Sequence, residues 1–239
     1  MSRDVRKGTA PVDETEFDDL TDEEVDALLA DDDPDLERPS SLAWRRRTAI
    51  EMVVSGLIGL YASFVLSIEA VYLAGLAEGE TPNLSCDLSA TISCSTVAQH
   101  WAATLLGFPN AFLGIAAEAV VLTVAVALIG GVRFPRWFML TAQVIYTIGF
   151  VFAIWLFGMA FFVIKALCPW CLLITLTTTL VWAGLTRINI RDGDLTLPGR
   201  AGPWARRFVA HGYDWYVTVA FLVGIAAMIV LRYGGSIIA

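Results

Sequence analysis

Histidine is almost missing from this 239-residue chain: His100 and His211 are the only two. That leaves no histidine set suited to haem, and no Gly-rich dinucleotide fingerprint stands beside them. The N-terminus has no basic stretch running directly into an apolar one, so no signal peptide is read and the first span is expected to act as its own insertion signal. Cysteine is scarce as well. The four that exist, Cys86, Cys94, Cys168 and Cys171, therefore carry most of the chemical information.

Apolar residues are abundant. They make up 56% of the chain, mean hydropathy is +0.64, and several runs are long enough to cross a hydrocarbon layer of ~30 Å. Five spans are read: Thr48–Ile68, Asn110–Ile129, Arg136–Trp155, Leu167–Leu185 and Trp215–Leu231. Backbone amides in lipid must be satisfied without water, so each span is expected to be helical and the whole to be an all-α membrane protein.

The net charge of −8 is unevenly distributed. Residues 1–40 hold 15 of the 24 acidic side chains and 4 of the 16 basic ones, which makes that segment −11 and the remainder +3. We divide the chain into an acidic, disordered cytoplasmic tail over 1–40 and a membrane domain over 41–239. Within the tail, Thr21-Asp22-Glu23-Glu24 matches a capping box, and Leu20, Val25, Leu28 and Leu29 would line one helix face. A partner-docking segment and a solvated tail both fit that pattern.

Basic residues orient the spans, because Lys and Arg near helix ends stay on the cytoplasmic side. Arg45, Arg46 and Arg47 precede the first span, Arg133 and Arg136 flank the second connection, and Arg187, Arg191, Arg200, Arg206 and Arg207 fill the fourth. The alternate connections hold Glu69, Glu78, Glu80 and Asp87, then Lys165 alone. The expected topology is a multi-pass plasma-membrane protein with a cytoplasmic N-terminus and with both cysteine pairs and the C-terminus outside, where disulfides persist.

Cys168-Pro169-Trp170-Cys171 opens the fourth span. Proline suits the first helical turn, and residues three apart share a helix face, so these two cysteines can bridge. The positive end of the helix dipole favours a thiolate at Cys168. Two small core residues, or half of a zinc site, would also account for the motif. Cys86 is placed in a loop, nearest solvent, and Ser93 or Ser95 is expected to cap a short surface helix that lets Cys94 lean toward Cys168. A static Cys86–Cys94 staple is the alternative.

Together, Cys86-Asp87-Leu88-Ser89-Ala90-Thr91-Ile92-Ser93-Cys94-Ser95, Pro109-Asn110-Ala111-Phe112-Leu113-Gly114 and the helix-opening CxxC resemble the vitamin K epoxide reductase family, most closely its bacterial members, over about residues 48–185. The resemblance implies a four-helix transmembrane bundle around a quinone (menaquinone or ubiquinone), with a fifth, peripheral transmembrane helix. It implies that Cys86 exchanges with a secreted thioredoxin-like thiol oxidoreductase, that Cys94 exchanges with Cys168, and that Cys171 faces the quinone. Asn110 matches the residue that hydrogen-bonds a quinone carbonyl. The tyrosine of vertebrate members is replaced by Thr175, which weakens any inference of epoxide reduction. Bacterial relatives often carry a thioredoxin-like domain after the fifth span, whereas this chain reads to Ala239, so the partner is expected to be a separate protein.

Two further polar residues stand out. Glu118 lies inside the second span, where an ionisable group is costly. It is eight residues from Asn110, about 80° around an ideal helix, so a shared pocket in which Glu118 delivers a proton to a reduced quinone is one reading, and a protonated Glu118 hydrogen-bonded to a neighbouring helix is the other. His100 either bonds near Cys94 or sits at the interface. The expected activity is thiol:quinone oxidoreduction that drives disulfide formation in exported proteins, with no metal. The alternatives are reduction of a quinone epoxide by the same cysteines, and a noncatalytic four-cysteine zinc site. The seven residues between Cys86 and Cys94 speak against zinc, whose ligands usually come in close-set pairs.

Overall fold

The computed structural model describes residues 40–238, apart from residues 78, 79, 81, 83 and 200. The acidic tail and its expected Leu20–Leu29 face lie outside the described residues. Seven α-helices are described: α1 (Leu42–Ala74), α2 (Cys94–Ala98), α3 (Ala111–Ile129), α4 (Arg136–Gly158), α5 (Pro169–Arg191), α6 (Ala201–Ala210) and α7 (Tyr213–Ile238). Five of them, α1, α3, α4, α5 and α7, are long and apolar enough to cross a membrane.

The helix boundaries follow local chemistry. Ser41 caps α1, its hydroxyl accepting from the Trp44 amide at 3.3 Å. Pro135 stands immediately before α4, and Pro169 occupies the first turn of α5, where a missing N–H costs nothing. Beyond Gly158, α4 widens into one π-helical turn, Met159–Ile164, which stops at Lys165 in the left-handed region (φ 59°).

Four helices share one apolar core. Ala49 and Met52 of α1 meet Val121, Val124, Ala125 and Leu128 of α3, Met139 and Tyr146 of α4, and Val181, Leu185 and Ile188 of α5. α1 packs along both α3 and α5, while α4 packs on α5. The α1–α5 contact is close: a Cβ added at Gly184 would lie 2.7 Å from Met52 Cγ. α7 stays outside this bundle and touches α5 and α6. None of its most apolar stretch is buried. The expected four-helix bundle with a peripheral fifth span is therefore the architecture found.

One end of the bundle is rich in arginine. Arg45 pairs with Asp192 at 3.0 Å, and Ser40 also donates to Asp192. Arg187 pairs with Asp214 of α7 at 2.6 Å, with its guanidinium 5.5 Å from the Trp44 ring centre and 6.0 Å from that of Trp215. This contact ties the start of the fifth span to α1 and α5. All four cysteines lie at the opposite end.

Candidate redox site

The loop between α1 and α2 is organised by Asp87. Its carboxylate accepts from the Ser93 hydroxyl (2.8 Å), the Ser95 amide (3.0 Å) and the Leu84 amide (3.3 Å). Burial works against this charge, yet those donors outweigh it and hold the carboxyl below the usual carboxylate range. Ser93 also caps α2, accepting from the Thr96 amide at 3.2 Å, so the expected serine cap is found. The helix it starts is short, and a 3₁₀ turn over Trp101–Thr104 follows it.

A single parallel bridge between Ile92 and Leu167 fastens this loop to the connection before α5. The Ser93 amide donates to the Leu167 carbonyl at 3.0 Å, and the Leu167 amide donates to the Thr91 carbonyl at 2.9 Å. The two cysteines that follow, Cys94 as the first residue of α2 and Cys168 as the cap of α5, are thereby brought into contact. Their sulfurs lie 3.0 Å apart.

Cys86 and Cys94 form a disulfide with Cα atoms 5.7 Å apart, while Cys168 and Cys171 are free. The Cys171 amide points at Cys168 Sγ, 3.4 Å away. Three sulfurs are thus in direct sequence and the fourth lies one helical turn on. Cys86, Cys94 and Cys168 are 5%, 1% and 1% exposed, packed with Leu84 among Leu66, Leu73, Val97 and Trp170. Of the loop pair Cys86 is the less deeply buried, but the loop folds over both sulfurs, and Cys171 is more exposed than either.

Glu69 was not singled out by its sequence position beyond its sign. It lies in the last two turns of α1, past the expected end of the first span, and its carboxylate oxygens sit 3.6 and 3.7 Å from Cys86 Sγ. The Ser85 hydroxyl donates to Glu69 Oε1 at 3.1 Å. Glu69, Cys86 and Cys94 have ligand-type atoms within 4.8 Å of one another. Because the two sulfurs are bonded together, they do not supply the thiolate pair that a zinc site needs in this state.

Asn110 and Glu118 are not brought to one point. Asn110 stands at the start of α3 without capping it: its Nδ2 donates to the Ala102 carbonyl at 2.7 Å, and its buried Oδ1 has no partner. Glu118 lies eight residues on, about 12 Å along the helix. It accepts from the Tyr146 hydroxyl of α4 at 3.2 Å, beside Gly59 of α1 and Thr177 of α5. The hydrogen bond to a neighbouring helix is the reading that the geometry matches. The hydrogen bond that His100 makes is not to Cys94: its Nδ1 accepts from the Ala102 amide at 3.2 Å and caps the 3₁₀ turn.

An apolar groove of about 160 Å³ runs between α5 and α7, lined among others by Leu172 and Thr175, the neighbour of Cys171 and the residue one turn beyond it. No curated protein and no solved structure matches the chain. The sequence profile of the vitamin K epoxide reductase family matches residues 50–185, which takes in α3, α4, most of α1 and α5, and all four cysteines. This helical membrane protein with a chain of cysteines at one end of its bundle belongs to the vitamin K epoxide reductase family.

Proposed function

We propose that the protein is a membrane thiol:quinone oxidoreductase that reoxidises a thioredoxin-like partner outside the plasma membrane and so drives disulfide formation in exported proteins. The observation that carries this reading is the 3.0 Å contact between Cys94 Sγ and Cys168 Sγ, which joins the loop pair to the CxxC. A static staple would have no use for a free thiol at that distance. Family membership supports a redox role for the same cysteines.

Electrons move inward by thiol–disulfide exchange. A partner thiolate attacks Cys86, and Cys94 leaves as a thiolate. Once the partner's second thiol has released Cys86, Cys94 attacks Cys168 of the oxidised CxxC and expels Cys171. Cys86 then attacks Cys94, the loop disulfide re-forms, and Cys168 and Cys171 are left as dithiol. Two electrons and two protons have passed from the partner to the CxxC, and a quinone that accepts them resets the cycle. Cys168 caps α5, and the Cys171 amide points at its sulfur.

Quinone is the acceptor in this reading. Asn110 Oδ1 is a buried acceptor without a donor, which a quinol hydroxyl would satisfy. The α5–α7 groove beside Cys171 offers an apolar approach from lipid. In this proposal the arginine-rich end faces the cytoplasm and the cysteine end faces outward. Impermeant thiol reagents on intact, reduced cells should label cysteines at the cysteine end and should not label a cysteine substituted at position 200.

The deciding experiment mixes purified protein with a reduced thioredoxin-like thiol oxidoreductase and a soluble quinone analogue while quinone absorbance is followed. Thiol-dependent loss of quinone is expected, and its absence sinks the reading.

A further inference from the structure

We propose that Glu69 is the proton acceptor and donor for Cys86, a catalytic role that rests on the relay described above. Each re-formation of the loop disulfide requires Cys86 to lose a proton, and each release of the partner returns Cys86 as a thiolate that must regain one. Cys86 is 5% exposed, so bulk water is poorly placed to serve it. The Glu69 carboxylate is the group at hand, with both oxygens 3.6–3.7 Å from the sulfur. It is itself largely buried and steered by the Ser85 hydroxyl on Oε1.

The step balances within the protein. As Cys86 attacks Cys94 of the Cys94–Cys168 disulfide, the Cys86–Cys94 bond forms and the Cys94–Cys168 bond breaks. The Cys86 proton passes to Glu69, and Cys168 leaves with the electron pair as a thiolate. In the next cycle, when the partner's second thiolate resolves the partner–Cys86 disulfide, the departing Cys86 thiolate takes that proton back. Glu69 ends as it began. The titratable groups that face it are Asp87 on the loop and Cys171 on α5, alongside Cys86 itself. Neither is as close to the Cys86 sulfur in the described contacts.

α1 is built to deliver this carboxylate. The helix continues past Ile68 to Ala74, and its last two turns bring Glu69 beneath the cysteine loop with Leu66 and Leu73 against the sulfurs. A side chain on a rigid helix holds a better-fixed geometry for proton transfer than one on the loop itself.

The test uses the full chain in detergent, fully reduced, with the small neutral disulfide hydroxyethyl disulfide as oxidant. Acid quenching, alkylation and mass spectrometry give the rate at which Cys86–Cys94 forms. Near neutral pH, Glu69→Gln should be slower than the parent by roughly a hundredfold. The gap should close at alkaline pH, where hydroxide removes the proton instead, and Glu69→Asp should fall between the two. A Glu69→Gln rate equal to or above the parent's across the pH range overturns the proposal. So does a rate that is low at every pH and equally low in Glu69→Asp, since that marks a structural role. This assay contains no quinone, so a parent that fails to reduce quinone refutes the oxidoreductase reading while the role of Glu69 is still read separately.

Discussion

Ser93 and Leu167 each stand one residue before a cysteine, and the amide of the first donates to the carbonyl of the second at 3.0 Å. Together with the Leu167 amide on the Thr91 carbonyl, that bond sets the register between two segments 74 residues apart at their cysteines and brings Cys94 and Cys168 into sulfur contact. Exchange between the pairs then needs no large rearrangement, because the attacking and attacked atoms are already neighbours.

Cys171→Ser tests the order of the relay. The variant lacks the thiol that closes the CxxC, so it should reduce no quinone. It should accumulate a Cys94–Cys168 disulfide, which mass spectrometry of nonreduced digests identifies. Cys86→Ser should instead lose partner oxidation and keep a CxxC that quinone oxidises. Quinone reduction by Cys171→Ser at the parental rate would show that electrons leave by another residue.

Asp87 makes the loop pH-dependent with a definite sign. Its folded pKa is held below the unfolded value of about 3.9. Its contribution is therefore complete above that unfolded value and is lost as the pH falls through the depressed one. Asp87→Asn removes the charge from three hydrogen bonds and should weaken the loop by about 1 kcal/mol, roughly fivefold in its opening. Amide hydrogen exchange over residues 84–95 measures this. An unchanged exchange rate near neutral pH would mean that the bridge at Leu167 alone holds the loop.

Gly184→Ala should destabilise the bundle by about 1–3 kcal/mol, because the new methyl carbon meets the buried Met52 side chain at 2.7 Å. Pairing it with Met52→Ala should recover part of the loss if the contact is the cause. Thermal unfolding of the detergent-solubilised variants gives both numbers.

Residues 1–39 join the helix bundle at Ser40, at the arginine end and about 50 Å along α1 from the cysteine loop. Deleting them should leave thiol-dependent quinone reduction within about twofold of the parent, because their attachment point is at the far end of α1 from the cysteines. A folded deletion variant that has lost turnover would give the tail a role in the reaction.

The spans were legible because hydropathy is a property of local sequence, and the second was placed within one residue of α3. Their ends were less so. Hydropathy reads the first as Thr48–Ile68, but α1 runs from Leu42 to Ala74, since helical hydrogen bonding passes through Arg45–Arg47 at one end and through Glu69 at the other, where charge ends the apolar run. That extension hid Glu69, whose importance depends on a loop returning over it. The burial of Cys86 was hidden for the same reason. By contrast, Pro169 and the three-residue spacing of the CxxC are local, and α5 starts where they indicated. α6 was read only as part of a basic connection, because its ten residues fall far short of a span.

The outward position of α7 bears on how the molecule is made. The core of the other four helices closes without it, and α7 itself buries little besides Tyr233, whose hydroxyl donates to the Phe161 carbonyl. Spans enter the membrane in order from the N-terminus, so all four cysteines and their supporting bundle can be assembled before the last span leaves the ribosome. Arg187, already resting on Trp44, then offers Asp214 a docking point as α7 arrives. The fifth span is thus joined to a core that closes without it.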